Sequence, residues 1–260
     1  MESISSMTNI LSVVAHRPYE LPAGRWRMAA RWNDLLFAHW PIPPDDMARL
    51  LPAGLQVDTY DGYAWVGVVP FWMDQVRTRA VGEPCITVPG TGTFCELNLR
   101  TYVSSPRTNL RGVYFFSLDA ASALAVIGAR IFFHLPYFLA GMHSRIESDG
   151  TVDYSSERLL SRRKVRFKAR YRGSGDVAAP SVPGTFEYFV TERYCLFTRY
   201  GGRVLRGDIH HVPWPLERAV AEIRLNELPA AHGIVLPDRP PVLHFTRQLQ
   251  VYLWPLGEDS

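Results

Sequence analysis

Residues 94–103 read Phe-Cys-Glu-Leu-Asn-Leu-Arg-Thr-Tyr-Val. On a strand, whose side chains alternate between faces, Glu96, Asn98, Arg100 and Tyr102 fall on one side and Cys95, Leu97, Leu99 and Val103 on the other. An acid, an amide, a cation and a phenol opposite an apolar face fit the wall of a polar pocket inside a β-structure. An edge strand with its polar face in water fits the same pattern. Glu96 and Arg100 stand about 13 Å apart along the backbone, a spacing for gripping two ends of one ligand. Arg100 suits a bidentate hold on a carboxylate, and Glu96 would move a proton if burial raised its pKa. Asn98 between them would orient either group. The structural alternative is a salt-bridge network lining a filled barrel.

Other reactive side chains add less. His39, His134, His210 and His211 invite a metal, but no pair stands at i, i+4 on a helix beside an acid, and His210 and His211 point to opposite strand faces. No metal is expected. His211, close to Trp214, is a candidate pocket-lining base. Arg130 on an otherwise apolar stretch needs a partner, and Asp119 is near in sequence. Glu192 and Arg193 fall on opposite faces of a strand read over 191–198, and either could reach the lumen. Lys164 and Lys168 are the only lysines, set among arginines on an alternating strand that reads as a solvated face. Schiff-base chemistry is therefore limited to two poor candidates. There is no Gly-x-Ser-x-Gly elbow, phosphate loop or dinucleotide fingerprint, so no cofactor is expected.

The elements that must position these groups read as one domain over 16–260 after a loose tail at 1–15. With 47% apolar and 20% charged residues, the 260-residue chain can bury a sizeable core, and a net charge of +3 is too small to argue for nucleic acid. Cys85, Cys95 and Cys195 lack any paired spacing, which points to reduced thiols and a cytoplasmic protein. The stretch 120–142 is apolar apart from Ser122, Arg130 and His134. An arginine near a bilayer centre costs about 2.5–3.5 kcal/mol, so the stretch reads as buried core and no membrane partner is expected. The patterns predict a short helix over 44–51 and a hairpin at Asp61-Gly62 joining strands 55–59 and 63–71. A loop over 78–93 and a strand over 113–118 precede a helix over 120–141 broken at Pro136. Strands follow over 146–154, 163–171 and 188–200, then a tight Gly201-Gly202 turn into 204–210. A short helix over 217–225 and a closing strand over 242–252 complete an antiparallel, β-rich α+β domain. Its sheet edges invite a homodimer.

Seven ordered segments resemble the YqjF-like family, a domain of unknown function: Leu-Phe-Ala-His-Trp-Pro (36–41), Gly-Tyr-Ala-Trp-Val-Gly-Val-Val-Pro-Phe (62–71), Glu-Leu-Asn-Leu-Arg-Thr-Tyr-Val (96–103), Phe-Phe-Ser-Leu-Asp-Ala (115–120), Leu-Pro-Tyr (135–137), Thr-Glu-Arg-Tyr (191–194) and His-His-Val-Pro-Trp-Pro (210–215). That family resembles the acetoacetate decarboxylase-like superfamily, which implies a cone-shaped antiparallel β-barrel with a few helices and a polar interior site. In the decarboxylases a nucleophilic lysine follows a proline in a Gly-Phe-Pro-Lys-Lys-type segment. The nearest match here is Gly128-Ala129-Arg130 followed by Leu135-Pro136-Tyr137-Phe138, so Tyr137 takes the lysine's place. Glu96 matches the decarboxylase glutamate.

The resulting expectation is a lyase- or isomerase-like enzyme without a Schiff-base lysine, acting by acid/base chemistry on a small organic acid or oxo compound. Decarboxylation, dehydration, isomerisation and cyclisation all remain open. Glu96 and Tyr137 are the expected catalytic residues, and Asn98, Arg100, Tyr102, Arg130 and His211 the expected substrate-binding ones. The alternative is a carrier that holds a small metabolite in the same barrel without turning it over.

Overall fold

The computed structural model describes residues 10–79, 85–161 and 163–259. Among the described residues the period-two patterns become fourteen strands: β1 (Met28–Ile42), β2 (Gln56–Val57), β3 (Ala64–Arg79), β4 (Cys85–Ile86), β5 (Phe94–Ser104), β6 (Arg111–Ala120) and β7 (Tyr137–Ile146) in the first half. The second half supplies β8 (Val152–Arg158), β9 (Arg166–Val177), β10 (Cys195–Tyr200), β11 (Arg203–His210), β12 (Glu217–Asn226), β13 (Val242–Leu253) and β14 (Gly257–Glu258). Helices α1 (Pro44–Ala48), α2 (Ala123–Phe133), α3 (Phe186–Thr191) and α4 (Leu228–Ala231) fill connections between the strands.

Strand pairing closes two rings that share one wall. β13, β1, β3, β5 and β6 pair in sequence, and β10 and β11 lead from β6 back to β13. A second path from β6 to β13 runs through β7, β8, β9 and β12. Alternation along the shared wall then sends one set of side chains into each ring. Leu36, Ala38, Val66, Val68, Leu97 and Leu99 fill the second ring against Val152, Tyr154, Phe167 and Tyr171. Leu35, Phe37, Val69, Phe71 and Tyr102 face the first with Phe115, Leu196, Trp214 and Leu253. The tyrosines of the filled ring satisfy their buried hydroxyls on backbone: Tyr154 donates to the Glu96 carbonyl at 2.7 Å and Tyr171 to the Asp34 carbonyl at 2.9 Å.

Several elements differ from expectation. Most pairings are antiparallel, but β6 pairs in parallel with β7 and β10, which α2 and the later excursion make accessible by long crossovers. The Asp61-Gly62 turn forms, with both residues at positive φ, yet β2 pairs with β5 and only a Tyr60–Tyr63 bridge spans the turn. The helix expected over 120–141 stops at Phe133, and the residues after Pro136 become β7. It is not core either: Leu124, Ile127, Ile131 and Phe132 are each more than half exposed. The segment read as one strand over 146–154 is the end of β7, a turn and the start of β8. The expected helix at 217–225 is β12, whose exposure alternates from Glu217 through Leu225. The strand read over 188–200 begins as α3 and becomes β10 only at Cys195. Of the segment read as a tail, residues 1–9 lie outside the described part, and Ile10 and Leu11 pack with Trp26, Tyr252 and Trp254. Among the described residues no helix is long and apolar enough to cross a membrane.

Candidate active site

The first ring is not filled. A cavity of about 60 Å³ lies inside it, lined by Glu96, Asn98 and Arg100 from β5, by Tyr137 at the start of β7, and by Thr191, Arg193, His211 and Trp214 from the segments that cap it. At about 30 Å³ per water in the liquid, this is room for roughly two waters or an acid of a few heavy atoms. The remaining walls are apolar, including Trp32, Phe71, Phe115 and Leu196. Such a lining, a few convergent polar groups among aromatics and aliphatics, is the usual form of a small-molecule site.

Glu96 is 4% exposed, and burial raises its carboxyl from the ordinary 4.5 to about 7. The Tyr137 hydroxyl donates to its Oε2 at 2.9 Å, and a second hydrogen bond from Asn98 likewise opposes the rise. Burial and the adjoining Glu96 hold the Tyr137 phenol well above its ordinary value, so it stays protonated and donates. A carboxyl poised near neutrality beside a fixed phenol can accept or deliver a proton in the cavity.

Arg100 is 7% exposed and has no acid partner within ion-pair distance among the described residues. Its Nη2 donates to the Tyr102 hydroxyl and to the Val190 carbonyl, both at 3.2 Å, and its guanidinium lies over the Phe37 ring. Its Nε is buried without a partner, as is the Asn98 Oδ1. Tyr102 does not line the cavity; it stands behind Arg100, its hydroxyl 2.6 Å from His39 Nε2. His39 reaches this position because β3 has Gly67 beneath it, where a Cβ would come within 2.9 Å of the ring. Burial and the nearby Arg100 push His39 well below its ordinary pKa, so a neutral ring supports Tyr102.

His211 lines the cavity, but burial pushes its pKa to about 3 and its Nδ1 lies 2.8 Å from the Val212 carbonyl. It is a neutral, fixed wall and a poor base near neutral pH. Arg130 lies elsewhere: it is exposed and donates from Nε to the Tyr137 carbonyl at 2.7 Å, tying the end of α2 to β7. Its expected partner Asp119 instead forms a buried ion pair with Arg158 at 2.8 Å. Lys164 and Lys168 are exposed and neither lines the cavity. No group of three or more His, Cys, Asp or Glu among the described residues is placed to hold a metal.

Of the lumen candidates Glu192 and Arg193, only Arg193 lines the cavity, and it is joined there by Thr191, which the sequence pattern does not single out. Thr191 ends α3, and Arg193 follows it with Nε on the Phe189 carbonyl at 2.6 Å and Nη1 on Asp58 at 2.5 Å. The signal for the helix was Thr185, whose side chain accepts from the Tyr188 amide at 3.2 Å as an N-cap.

This strand arrangement is the acetoacetate decarboxylase-like fold. The structure is similar to that of an acetoacetate decarboxylase from Legionella pneumophila, with a TM-score of 0.54 and 14% identity over 97% of this chain and 96% of that one. It is also similar to the enduracididine biosynthesis enzyme MppR complexed with pyruvate, with a TM-score of 0.58 and 14% identity over 94% of this chain and 93% of that one. At the level of sequence, residues 29–250 match DUF2071, described as an uncharacterized conserved protein, and the chain belongs to that family. It is 44% identical to the uncharacterized protein YqjF of Bacillus subtilis (strain 168) over 242 residues, 92% of this chain and 96% of YqjF.

Proposed function

We propose that the protein is an enzyme that binds a small organic acid in the closed ring and acts on it by acid/base chemistry without a Schiff-base lysine. The observation that carries this reading is Arg100: a buried guanidinium with only neutral hydrogen-bond partners is costly unless an anion joins it. Arg100 holds the carboxylate and Glu96 transfers the proton. Tyr137 donates to Glu96 or to an oxyanion formed on the substrate, with Asn98 orienting both. The chemistry is of decarboxylase, dehydratase, isomerase or cyclase type. The likeness to MppR, whose complex holds pyruvate, supports a small acid as ligand. Both lysines lie on the outer surface, which supports a route without an imine.

The test has two parts. Native mass spectrometry of the purified protein identifies any acid carried along, and NMR follows turnover of a panel of small 2-oxo, 3-oxo and hydroxy acids. Glu96→Gln is expected to keep affinity for a binding acid and to abolish its turnover. Turnover that survives the substitution removes Glu96 from the mechanism, whereas binding with no turnover in the parent protein makes it a carrier.

A further inference from the structure

A second pocket, of about 470 Å³, opens on the outside of α3. Tyr19, Tyr60, Tyr188, Phe189 and Glu192 line it, whereas Val190 and Thr191 line the inner cavity. Arg193 borders both. The six-residue α3 is thus the partition between an outer vestibule and the enclosed site. Its last carbonyls are all held by side chains: Phe189 by Arg193 at 2.6 Å, Thr191 by Trp214 at 3.0 Å, and Val190 by Arg100 at 3.2 Å and Tyr102 at 3.1 Å.

One of these bonds uses the guanidinium assigned to the ligand. Elsewhere in this chain arginines grip carboxylates side-on through Nε and Nη2 together, as Arg166 grips Glu227 at 3.0 and 2.8 Å. In Arg100 the same edge has Nε unpartnered, while Nη2 is shared between the Val190 carbonyl and the Tyr102 hydroxyl. Nη2 has two hydrogens, now given to Tyr102 and Val190, so a carboxylate taking that edge must displace one of these bonds and turn the fork away from α3 and Tyr102. A ketone or amide oxygen needs only one donor and can leave the bond to Val190 intact.

We propose that α3 is a door between the vestibule and the cavity, latched by Arg100 through the Val190 carbonyl and loosened by ligands that carry a carboxylate. Arg100 then couples binding of an acid to opening of the site, which a neutral oxo compound of the same size does not do. The proposal rests on the reading of the cavity as a site for a small acid.

Hydrogen–deuterium exchange of the full chain tests it, with acetate against acetamide and pyruvate against acetone at matched ionic strength. Intrinsic fluorescence of Trp32 and Trp214, which line the cavity, reports binding independently. The acids are expected to speed exchange of amides in 186–192 by about tenfold, the worth of one hydrogen bond to a charged group. The neutral analogues should leave it unchanged. Arg100→Lys, which keeps the charge without the fork, should show fast exchange already and no response to acid. Acids that bind by fluorescence yet leave 186–192 unchanged or slower overturn the latch and leave the acid site standing, as does an Arg100→Lys variant that responds like the parent. Absence of any acid binding to the parent protein overturns the acid site and the latch with it.

Discussion

Substituting Glu96 by Gln should make the protein's stability respond differently to pH, by an amount the site dictates. The folded chain binds the Glu96 proton with a pKa of about 7, against 4.5 in the ordinary environment of the unfolded chain. Because the folded value is the higher, the stability this group contributes is complete below pH 4.5 and is lost as the pH climbs through 7. The loss works out at about 0.8 kcal/mol at pH 5 and about 3.3 kcal/mol at pH 8. Glutamine keeps the shape and an acceptor for Tyr137 but has no proton to lose. Stability of Glu96→Gln relative to the parent should therefore rise by about 2.5 kcal/mol between pH 5 and pH 8. Asp119, raised by burial to about 6, titrates in both proteins and cancels in the difference to first order. Urea denaturation of the two proteins at both pH values measures it. If the two stabilities run parallel to within about 0.5 kcal/mol, the carboxyl is not a buried acid titrating near neutrality and the proton-transfer role falls.

Two further substitutions probe the surroundings. Tyr137→Phe removes a hydrogen bond that favours the ionised carboxylate, so the Glu96 titration should move above 7; a carbon-detected NMR titration that moves down would contradict the assignment. Gly112→Ala should cost about 1–3 kcal/mol in a urea melt, because its Cβ would meet the Cys195 carbonyl at 2.6 Å across the β6–β10 pair that closes the cavity ring; an unchanged melt would show that this contact yields.

What was legible in the sequence follows from which forces act locally. The alternation of Glu96, Asn98 and Arg100 against Leu97 and Leu99 declares a strand with two unlike faces but leaves open whether the polar one meets water; both faces prove buried. At β12 the same alternation was overridden by composition: alanine, glutamate, arginine and leucine favour helix intrinsically, and pairing with β9 decides otherwise. At α3 the error ran the other way. Tyr-Phe-Val at 188–190 reads as strand by propensity, which places Thr191 and Arg193 on a ladder that starts only at Cys195. The ion pairs around the site join Arg193 to Asp58 over 135 residues and Arg158 to Asp119 over 39. No local periodicity carries such a partner, which is why Arg130 was matched with the nearest acid. A helix with four large apolar side chains facing water is likewise opaque to a reading that equates apolar with buried.

The wall common to both rings separates two design problems that most proteins must solve together. Positions 97 and 99 answer to close packing, and any change of volume there is felt by the whole framework. Their immediate neighbours 96, 98 and 100 border the cavity and are free of that packing constraint on one side. A protein engineer could therefore rewrite the even positions for a new guest while leaving the odd ones, and the scaffold they hold together, untouched.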